Sequence, residues 1–179
     1  MAHDLPYRAK RSILIFFVAW LVIVLAAPFT LPANSVLDLS GRPGVVDNSA
    51  AEGRMNLFAQ AVYVIGDVNC HQIKDRSFFL NGNEMPFCSR DVGIFFGLAV
   101  GMLIVLAFGP KFYWLAFIAM TIPILVDGGL QLVSSYESNN LVRFLTGAVG
   151  GAAVSYLLGY MADQNLSVKR SSKGEVGKG

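Results

Sequence analysis

VGIFFGLAVGMLIVLAF, residues 92–108, is the stretch that decides which class of fold this chain adopts. It contains no charged side chain, and a helix that crosses a bilayer needs about 20 mainly apolar residues. With its flanking residues it predicts a transmembrane helix at about 91–109. Comparable apolar runs predict three more, at about 12–32, 111–134 and 141–162.

The composition supports the same class of protein. Of 179 residues, 54% are hydrophobic and 15% are charged, and the mean hydropathy is +0.54. Soluble domains carry about a quarter charged residues. The first apolar run follows basic residues, as a secretory signal does. It is longer than a signal core and no clear cleavage site follows, so a retained helix is expected. These features predict one all-α membrane domain over 1–179, a bundle of four transmembrane helices.

The basic residues predict how the bundle is oriented. They precede the first helix at 8–11, lie at Lys111 between the second and third helices, and form a basic tail at 163–179. Lys and Arg are enriched in cytoplasmic segments. The pattern therefore predicts a multi-pass protein of the cell membrane with both termini in the cytoplasm. The lipid bilayer is the expected partner, and a net charge of +2 gives no reason to expect nucleic acid.

The external segment, 52–91, is expected to lie on the outer face. Apolar residues at helical spacing from Glu52 to Asp67 predict a short amphipathic helix, too short to span the bilayer. Asn81-Gly82-Asn83 is a strong turn signal, and the flanking Phe78-Phe79 and Met85-Pro86-Phe87 suit a small hairpin. This motif loop joins the amphipathic helix to the second transmembrane helix.

Small residues recur at every fourth position in two of the transmembrane runs. Such spacing lets two helix backbones approach closely in lipid. We interpret these residues as a packing surface without a chemical role: Gly93, Gly97 and Gly101 in the second run, and Gly147, Gly151, Ser155 and Gly159 in the fourth.

Polar residues at membrane depth suggest a functional site. Asp127 lies inside the third run with Gln131 one turn on, and Arg143 lies at the start of the fourth. A carboxylate in the bilayer is costly unless it is paired or faces a polar cavity. One alternative is an Asp127–Arg143 ion pair that orients two helices. The other is a polar cavity shared with the motif loop, with further members Gln72, Arg76, Gln131 and Asn140.

Both cysteines fall in the motif loop. Cys70, His71, Cys88 and Asp91 are residue types that bind zinc, and Asp91 follows Cys88 by one helical turn. Two alternatives remain open. An external pair of cysteines often forms a disulfide. A thiolate activated by His71 or Arg90 would instead be reactive.

Together these residues favour a zinc-dependent membrane enzyme acting on a lipid or lipid-linked headgroup at the outer surface. In that hypothesis Asp127 is the catalytic base, while Arg90 and Arg143 neutralise an anionic substrate. A second hypothesis is a transporter or accessory subunit, in a homo-oligomer or a larger membrane complex, with a structural zinc or a disulfide clamping the loop. A third is a thiol redox protein that uses Cys70 and Cys88. Whether the chain is an enzyme stays open.

The motif residues resemble an uncharacterised family of small polytopic membrane proteins of bacteria and archaea, a domain of unknown function. The resemblance covers about 62–151. It rests on Cys70-His71-Gln72, Arg76-Ser77-Phe78-Phe79, Gly82, Pro86-x-Cys88-x-Arg90, Gly93, Gly97, Asp127-Gly128, Gln131, Glu137-Ser138, Asn140, Arg143 and Thr146-Gly147. It implies a membrane fold and no established activity. Family members usually carry a cysteine directly after the motif arginine, where this chain has Asp91, a harder ligand.

Overall fold

The computed structural model describes residues 4–42, 44–134 and 136–176, with side chains for all of these except 4 and 165–176. The long helices are α1 (Asp4–Ala26), α4 (Ser89–Phe108), α5 (Trp114–Val133) and α6 (Asn140–Val176). Between α1 and α4 lie helices α2 (Ser49–Glu52) and α3 (Leu57–Asn69) and strands β1 (Ser77–Leu80) and β2 (Asn83–Cys88). Within the described residues, four helices are long and apolar enough to cross a membrane. The predicted all-α bundle of four transmembrane helices is confirmed.

Two helices extend beyond their predicted ends. α1 begins at Asp4, well before its predicted start, because Pro6 lies in the first turn, where its missing N–H would have no helical partner. α6 continues to Val176, so most of the predicted basic tail is helical. No proline or glycine lies between Gly159 and Gly174, and this part of the chain therefore lacks a residue that would end the helix.

The centre of the bundle is the contact between α4 and α6. A Cβ atom built on Gly97 would lie 2.0 Å from the carbonyl oxygen of Ala148, and one on Gly151 would lie 2.2 Å from that of Ile94. Real Cβ atoms do not approach oxygen so closely, so the two backbones touch only because these positions are glycine. The predicted packing role of the small residues is confirmed.

α1 packs along α4 and is fastened at both ends. Near its C-terminal end, the indole of Trp20 meets the rings of Phe87 and Phe95 edge-on, each with a centroid distance of 6.0 Å. Near its start, the Lys10 ammonium lies 2.9 Å from the Asp163 carboxylate of α6. The aromatic contacts tie α1 to β2 as well as to α4.

α5 is the least embedded of the four helices. It packs chiefly on α6, where Ile124 fills the space above Gly150. Of its described side chains, Asp127 is the one that is buried. Large apolar side chains such as Leu125 and Leu132 are exposed, as expected for a helix that faces lipid.

The predicted amphipathic helix is interrupted. α2 ends at Glu52 and is followed by Gly53. α3 begins at Leu57, and the preceding Asn56 caps it by accepting a hydrogen bond from the Ala59 N–H (3.0 Å). α3 reaches the hairpin through Gly66, where an added Cβ would lie 2.0 Å from the carbonyl oxygen of Pro86. The close contact positions the end of α3 beside β2.

The hairpin predicted around Asn81-Gly82 is present. β1 and β2 pair antiparallel, and both turn residues have positive φ (53° and 70°), as the tightest hairpin turns require. Asn140 at the start of α6 donates to the Ser77 carbonyl (3.2 Å) and accepts from the Ser89 hydroxyl (2.9 Å). The hairpin therefore caps one end of the bundle, where α4 and α6 begin, and we call this the hairpin end.

Candidate functional site at the hairpin end

Two sulfurs and a carboxylate meet where the hairpin joins α4. Cys70 directly follows α3, Cys88 ends β2, and Asp91 lies in the first turn of α4. One ligand atom from each lies within 4.8 Å of the others. Cys70, Cys88 and Asp91 are the donor cluster. The fold brings Cys70, at the end of α3, next to Cys88 and Asp91, where β2 meets α4.

Hydrogen bonds give the two thiols of the donor cluster different characters. Both cysteines are free, and the Cys88 backbone N–H donates to Cys70 Sγ (3.2 Å) while Cys88 Sγ donates to Asp91 Oδ2 (3.3 Å). The contact with Cys88 raises the pKa of Cys70, and burial raises it further. The same contact lowers the pKa of Cys88 below its ordinary value. Cys88 is therefore the first of the pair to become a thiolate.

A cavity of about 200 Å³ lies against the donor cluster. Its walls come from the motif loop, α4, α5 and α6, and three of its residues are arginines. The arginine cavity is lined by Cys70, His71, Ile73, Arg76, Cys88, Arg90, Gly128, Gln131, Leu132 and Arg143. No carboxylate is among these residues. The walls are thus cationic, with the two sulfurs on one side.

Asp127 is paired with Arg90. An Nη atom of Arg90 lies 2.5 Å from Asp127 Oδ2, and Gln131 donates to Oδ1 of the same carboxylate (3.4 Å). The Asp127–Arg143 ion pair considered from the sequence is wrong. Arg90 reaches across from the first turn of α4, while the Arg143 side chain is held elsewhere. The carboxylate lies behind the cavity wall and is not among its lining residues.

Arg143 is buried without an acidic partner. Its side chain is 3% exposed, and its Nε donates to the carbonyl oxygen of Ser138 (2.8 Å). Its two terminal amino groups have no hydrogen-bond partner among the described residues, and none of the ion pairs found there includes it. The unpaired side of the guanidinium belongs to the cavity wall.

Arg76 is paired on the outside of the cavity. It lies in a short 3-10 turn before β1, and its Nη2 is 2.6 Å from Glu137 in the connection between α5 and α6. This hydrogen bond lowers the pKa of Glu137 below its ordinary value. The pair ties the motif loop to the connection that carries Ser138 and leads into α6.

Several predicted site residues lie in other places. His71 is exposed on the cavity wall and lies outside the donor cluster. Gln72 is fully buried with a positive φ (43°), and it donates to the carbonyl oxygen of Pro86 (2.9 Å) behind the hairpin. Asn140 binds Ser77 and Ser89 and does not line the arginine cavity. Gln72 and Asn140 hold the scaffold, because their amides satisfy backbone and hydroxyl groups that would otherwise be buried unpaired.

Asp91 also contributes to a second cavity. This space of about 330 Å³ lies toward α1 and α3 and is lined by Trp20, Ile65, Asn69, Phe87, Asp91 and Phe95. Asp91 is absent from the lining of the arginine cavity. The donor cluster therefore lies between two cavities, with its sulfurs facing one and its carboxylate facing the other.

Two acidic side chains that support the site carry no recognisable sequence signal. Glu84 is fully buried in β2, and its Oε2 accepts from the Leu39 N–H (3.1 Å). Burial raises the pKa of Glu84 to about 7. Asp67 is fully buried at the end of α3 and accepts two hydrogen bonds from Asn48 (2.9 and 2.7 Å). Their partners, Leu39 and Asn48, come from the irregular loop after α1, and no local sequence pattern links that loop to β2 or α3.

Together, the fold and this site define a small polytopic membrane protein with a sulfur–carboxylate cluster beside a cationic cavity. Residues 70–157 match the family described as "Predicted membrane protein (DUF2085)". The chain belongs to this family. The matched region starts at Cys70 and includes the hairpin, α4, α5 and about the first half of α6. It contains the whole donor cluster and every residue that lines the arginine cavity.

Two relatives of known sequence are uncharacterised archaeal proteins. The uncharacterized protein MJ1492 of Methanocaldococcus jannaschii is 38% identical over 104 residues, which are 54% of this chain and 65% of that protein. The chain thus spans slightly less than two thirds of that relative. An uncharacterized protein of Methanothermobacter thermautotrophicus is 34% identical over 91 residues, 49% of this chain and 82% of that protein. No solved structure matches the chain.

Proposed function

We propose that this protein is a zinc-dependent membrane enzyme that acts on the anionic headgroup of a lipid or lipid-linked substrate at the outer surface. The observation that carries the proposal is the donor cluster, with three ligand atoms within 4.8 Å, beside a cavity walled by three arginines. The orientation, with both termini in the cytoplasm, remains a prediction from the basic residues.

The donor cluster suits a catalytic zinc ion better than a structural one. Two thiolates and one carboxylate are accepted zinc ligands, and catalytic sites keep three protein ligands and one open position. His71 lies outside the cluster, so a zinc ion held by these three residues would have room for a fourth ligand. Cys70 and Cys88 line the arginine cavity, so that ion would lie beside it. Zinc would there polarise a substrate oxygen or lower the pKa of a water molecule.

The arginines would bind the substrate, and Asp127 would position one of them. A general base must reach the proton that it removes. Asp127 is 5% exposed, is bonded to Arg90 and does not line the cavity. We therefore assign Asp127 to orienting Arg90 rather than to the catalytic base expected from the sequence. Arg90 and Arg143 keep the role of neutralising the anionic group.

Metal content of the purified protein tests this proposal. Protein prepared in detergent under reducing conditions should contain about one zinc ion per chain. Cys70→Ser, Cys88→Ser and Asp91→Asn should each lower that content strongly, whereas Asp75→Asn, an exposed acid in the same loop, should not. His71→Ala should retain the metal if the fourth position is open.

A thiol redox function is the second candidate. It is favoured by the proximity of the two sulfurs and by the opposite shifts of their pKa values. Quantifying thiols by mass spectrometry, before and after reduction, separates the two functions. A Cys70–Cys88 disulfide in the isolated protein, with no zinc in the reduced form, would contradict the metal proposal.

An accessory or transport role remains the alternative to enzymatic function. A fixed zinc or a disulfide would then clamp the loop, and the exposed apolar side chains of α5 would contact a second copy or another subunit. Two results together would favour this role over catalysis. The protein would bind zinc with an affinity that no anionic ligand changes, and it would form a defined oligomer in detergent.

A further inference from the structure

We infer that the arginine cavity is a binding site for a phosphate monoester, and that Arg143 is the residue that binds it. The inference rests on the proposed function in one respect: it names the substrate class of the same site. It starts from Arg143, a guanidinium that is 3% exposed, has one hydrogen bond through Nε, and has no ion pair within the described part of the chain.

The charges around the cavity leave one cation uncompensated. Arg76 is neutralised by Glu137 and Arg90 by Asp127, and both carboxylates lie outside the described lining. Arg143 has no such partner. A buried charge is costly unless an opposite charge or hydrogen bonds compensate it. An anion bound inside the cavity would supply that compensation for Arg143.

A second polar atom also lacks a partner here. The Nε atom of Arg90 is buried and makes no hydrogen bond within the described residues. Its Nη2 is already bonded to Asp127, so the guanidinium is fixed in place while one donor is left over. The free terminal amino groups of Arg143, beside an Arg90 guanidinium that Asp127 holds in place, indicate a ligand with several acceptor oxygens.

Phosphate fits this arrangement better than carboxylate. The three guanidinium groups come from the 3-10 turn at Lys74–Arg76, from α4 and from α6, so they converge from separate elements. A phosphate monoester presents three equivalent oxygens and up to two negative charges, whereas a carboxylate presents two oxygens and one charge. Arginine forks match phosphate geometry with paired hydrogen bonds.

The size of the cavity limits what it can hold. At about 200 Å³ it is smaller than the pockets of roughly 300–1,000 Å³ that enclose drug-sized ligands. It therefore suits a headgroup rather than a whole lipid. Two apolar crevices of about 210 and 190 Å³ lie further along α4, α5 and α6 and share Met120 and Ala152 in their linings. They offer apolar surface for a hydrocarbon chain.

Binding to the purified protein tests the inference with two sources of the same chemistry. Inorganic phosphate is titrated into protein in detergent. Phosphatidic acid, a lipid monoester, is then compared with phosphatidylcholine alone in nanodiscs. Raised unfolding temperature and direct calorimetry report binding. If inorganic phosphate binds and phosphatidic acid does not, the phosphate site is supported and its ligand is a soluble anion. If neither binds, the inference is overturned.

Variants identify the residue. Arg143→Gln should weaken phosphate binding about tenfold or more while leaving the unfolding temperature of the ligand-free protein unchanged or higher, because an uncompensated buried charge has been removed. Lower stability with unchanged affinity would show a structural arginine and overturn the inference. Gln131→Glu, which adds a carboxylate to the wall, should weaken binding without removing Arg143. Arg42→Gln, at an exposed arginine, should leave binding unchanged.

The metal proposal can fail independently of this one. A Cys70→Ser, Cys88→Ser double variant should lose zinc and keep measurable phosphate binding through the arginines. Absence of zinc in the wild-type protein, with phosphate binding intact, would overturn only the proposed function. Zinc content intact in Arg143→Gln and in the wild type, with no phosphate binding in either, would overturn only this inference.

Discussion

Arg90 and Asp127 join α4 to α5 through an ion pair of 2.5 Å, at a point where the two helices otherwise have little contact. Asp127 is 5% exposed, and the side chain of Arg90 is 22% exposed. The pair therefore does more than balance charge. It holds α5, which forms one wall of the arginine cavity, against α4. Its removal should be felt both in stability and in the shape of that cavity.

Asp127→Asn should destabilise the protein by about 3 kcal/mol, because it leaves the largely buried Arg90 without its counter-charge. Thermal or denaturant unfolding in detergent measures the loss. Lys74→Gln is a matched control, since Lys74 pairs with Asp38 at the exposed surface, where an ion pair contributes little to stability. Equal effects of the two substitutions would show that the Arg90–Asp127 pair is no stronger than a surface pair.

Asp91→Cys should keep the metal and bind zinc more tightly than the wild type. A third thiolate makes the donor set softer, and zinc accepts thiolate more readily than magnesium or calcium do. Competition with a chromophoric chelator measures the affinity. The resemblance to family members with cysteine at this position predicts the same result. Loss of zinc in this variant, with the fold intact, would argue against the donor cluster as a metal site.

Gly97→Ala should destabilise the bundle by about 3 kcal/mol or more, because the added methyl group would lie 2.0 Å from the carbonyl oxygen of Ala148 and would force α4 away from α6. The control is Gly129→Ala on α5, where an added Cβ meets nothing within 4 Å and improves helix propensity by about 1 kcal/mol. Unfolding temperatures of the two variants should change in opposite directions. A Gly97→Ala protein as stable as wild type would refute the close contact.

The contribution of Glu84 to the stability of the protein should fall as the pH rises from about 4.5 to about 7. Its pKa is raised from 4.5 to about 7 by burial, so in that interval the unfolded chain releases a proton that the folded chain retains. The contribution is present below the unfolded pKa and is lost through the folded one. It amounts to about 3 kcal/mol at most.

Glu84→Gln should flatten this part of the stability curve, measured by thermal unfolding between about pH 4 and pH 8. Glu137→Gln is a control of opposite sign. The pKa of Glu137 is lowered by its hydrogen bond to Arg76, so its contribution is present at neutral pH and is lost as the pH falls. Parallel curves for wild type and Glu84→Gln would show that Glu84 is not protonated in the fold.

The sequence predicted the residues of the site better than their partners. The apolar runs, the small-residue spacing and the Asn-Gly turn follow from periodicity and local backbone preference, and they were confirmed. The partner of Asp127 could not be predicted, since it depends on how far α4 is rotated toward α5. Gln72 follows His71 directly, yet its positive φ turns the amide away from the cavity. Neither composition nor residue spacing indicates that the backbone changes direction at this single residue.

The exposed position of α5 has a consequence for how a ligand would arrive. This helix forms one wall of the arginine cavity, and Asp127 is the one described side chain of the helix that is buried. If a ligand enters beside α5, it would come from within the leaflet rather than from the water above. A lipid taking that route would be captured by diffusion within the leaflet. Turnover would then follow its mole fraction in the membrane, and dilution of the surrounding solution would leave the rate unchanged.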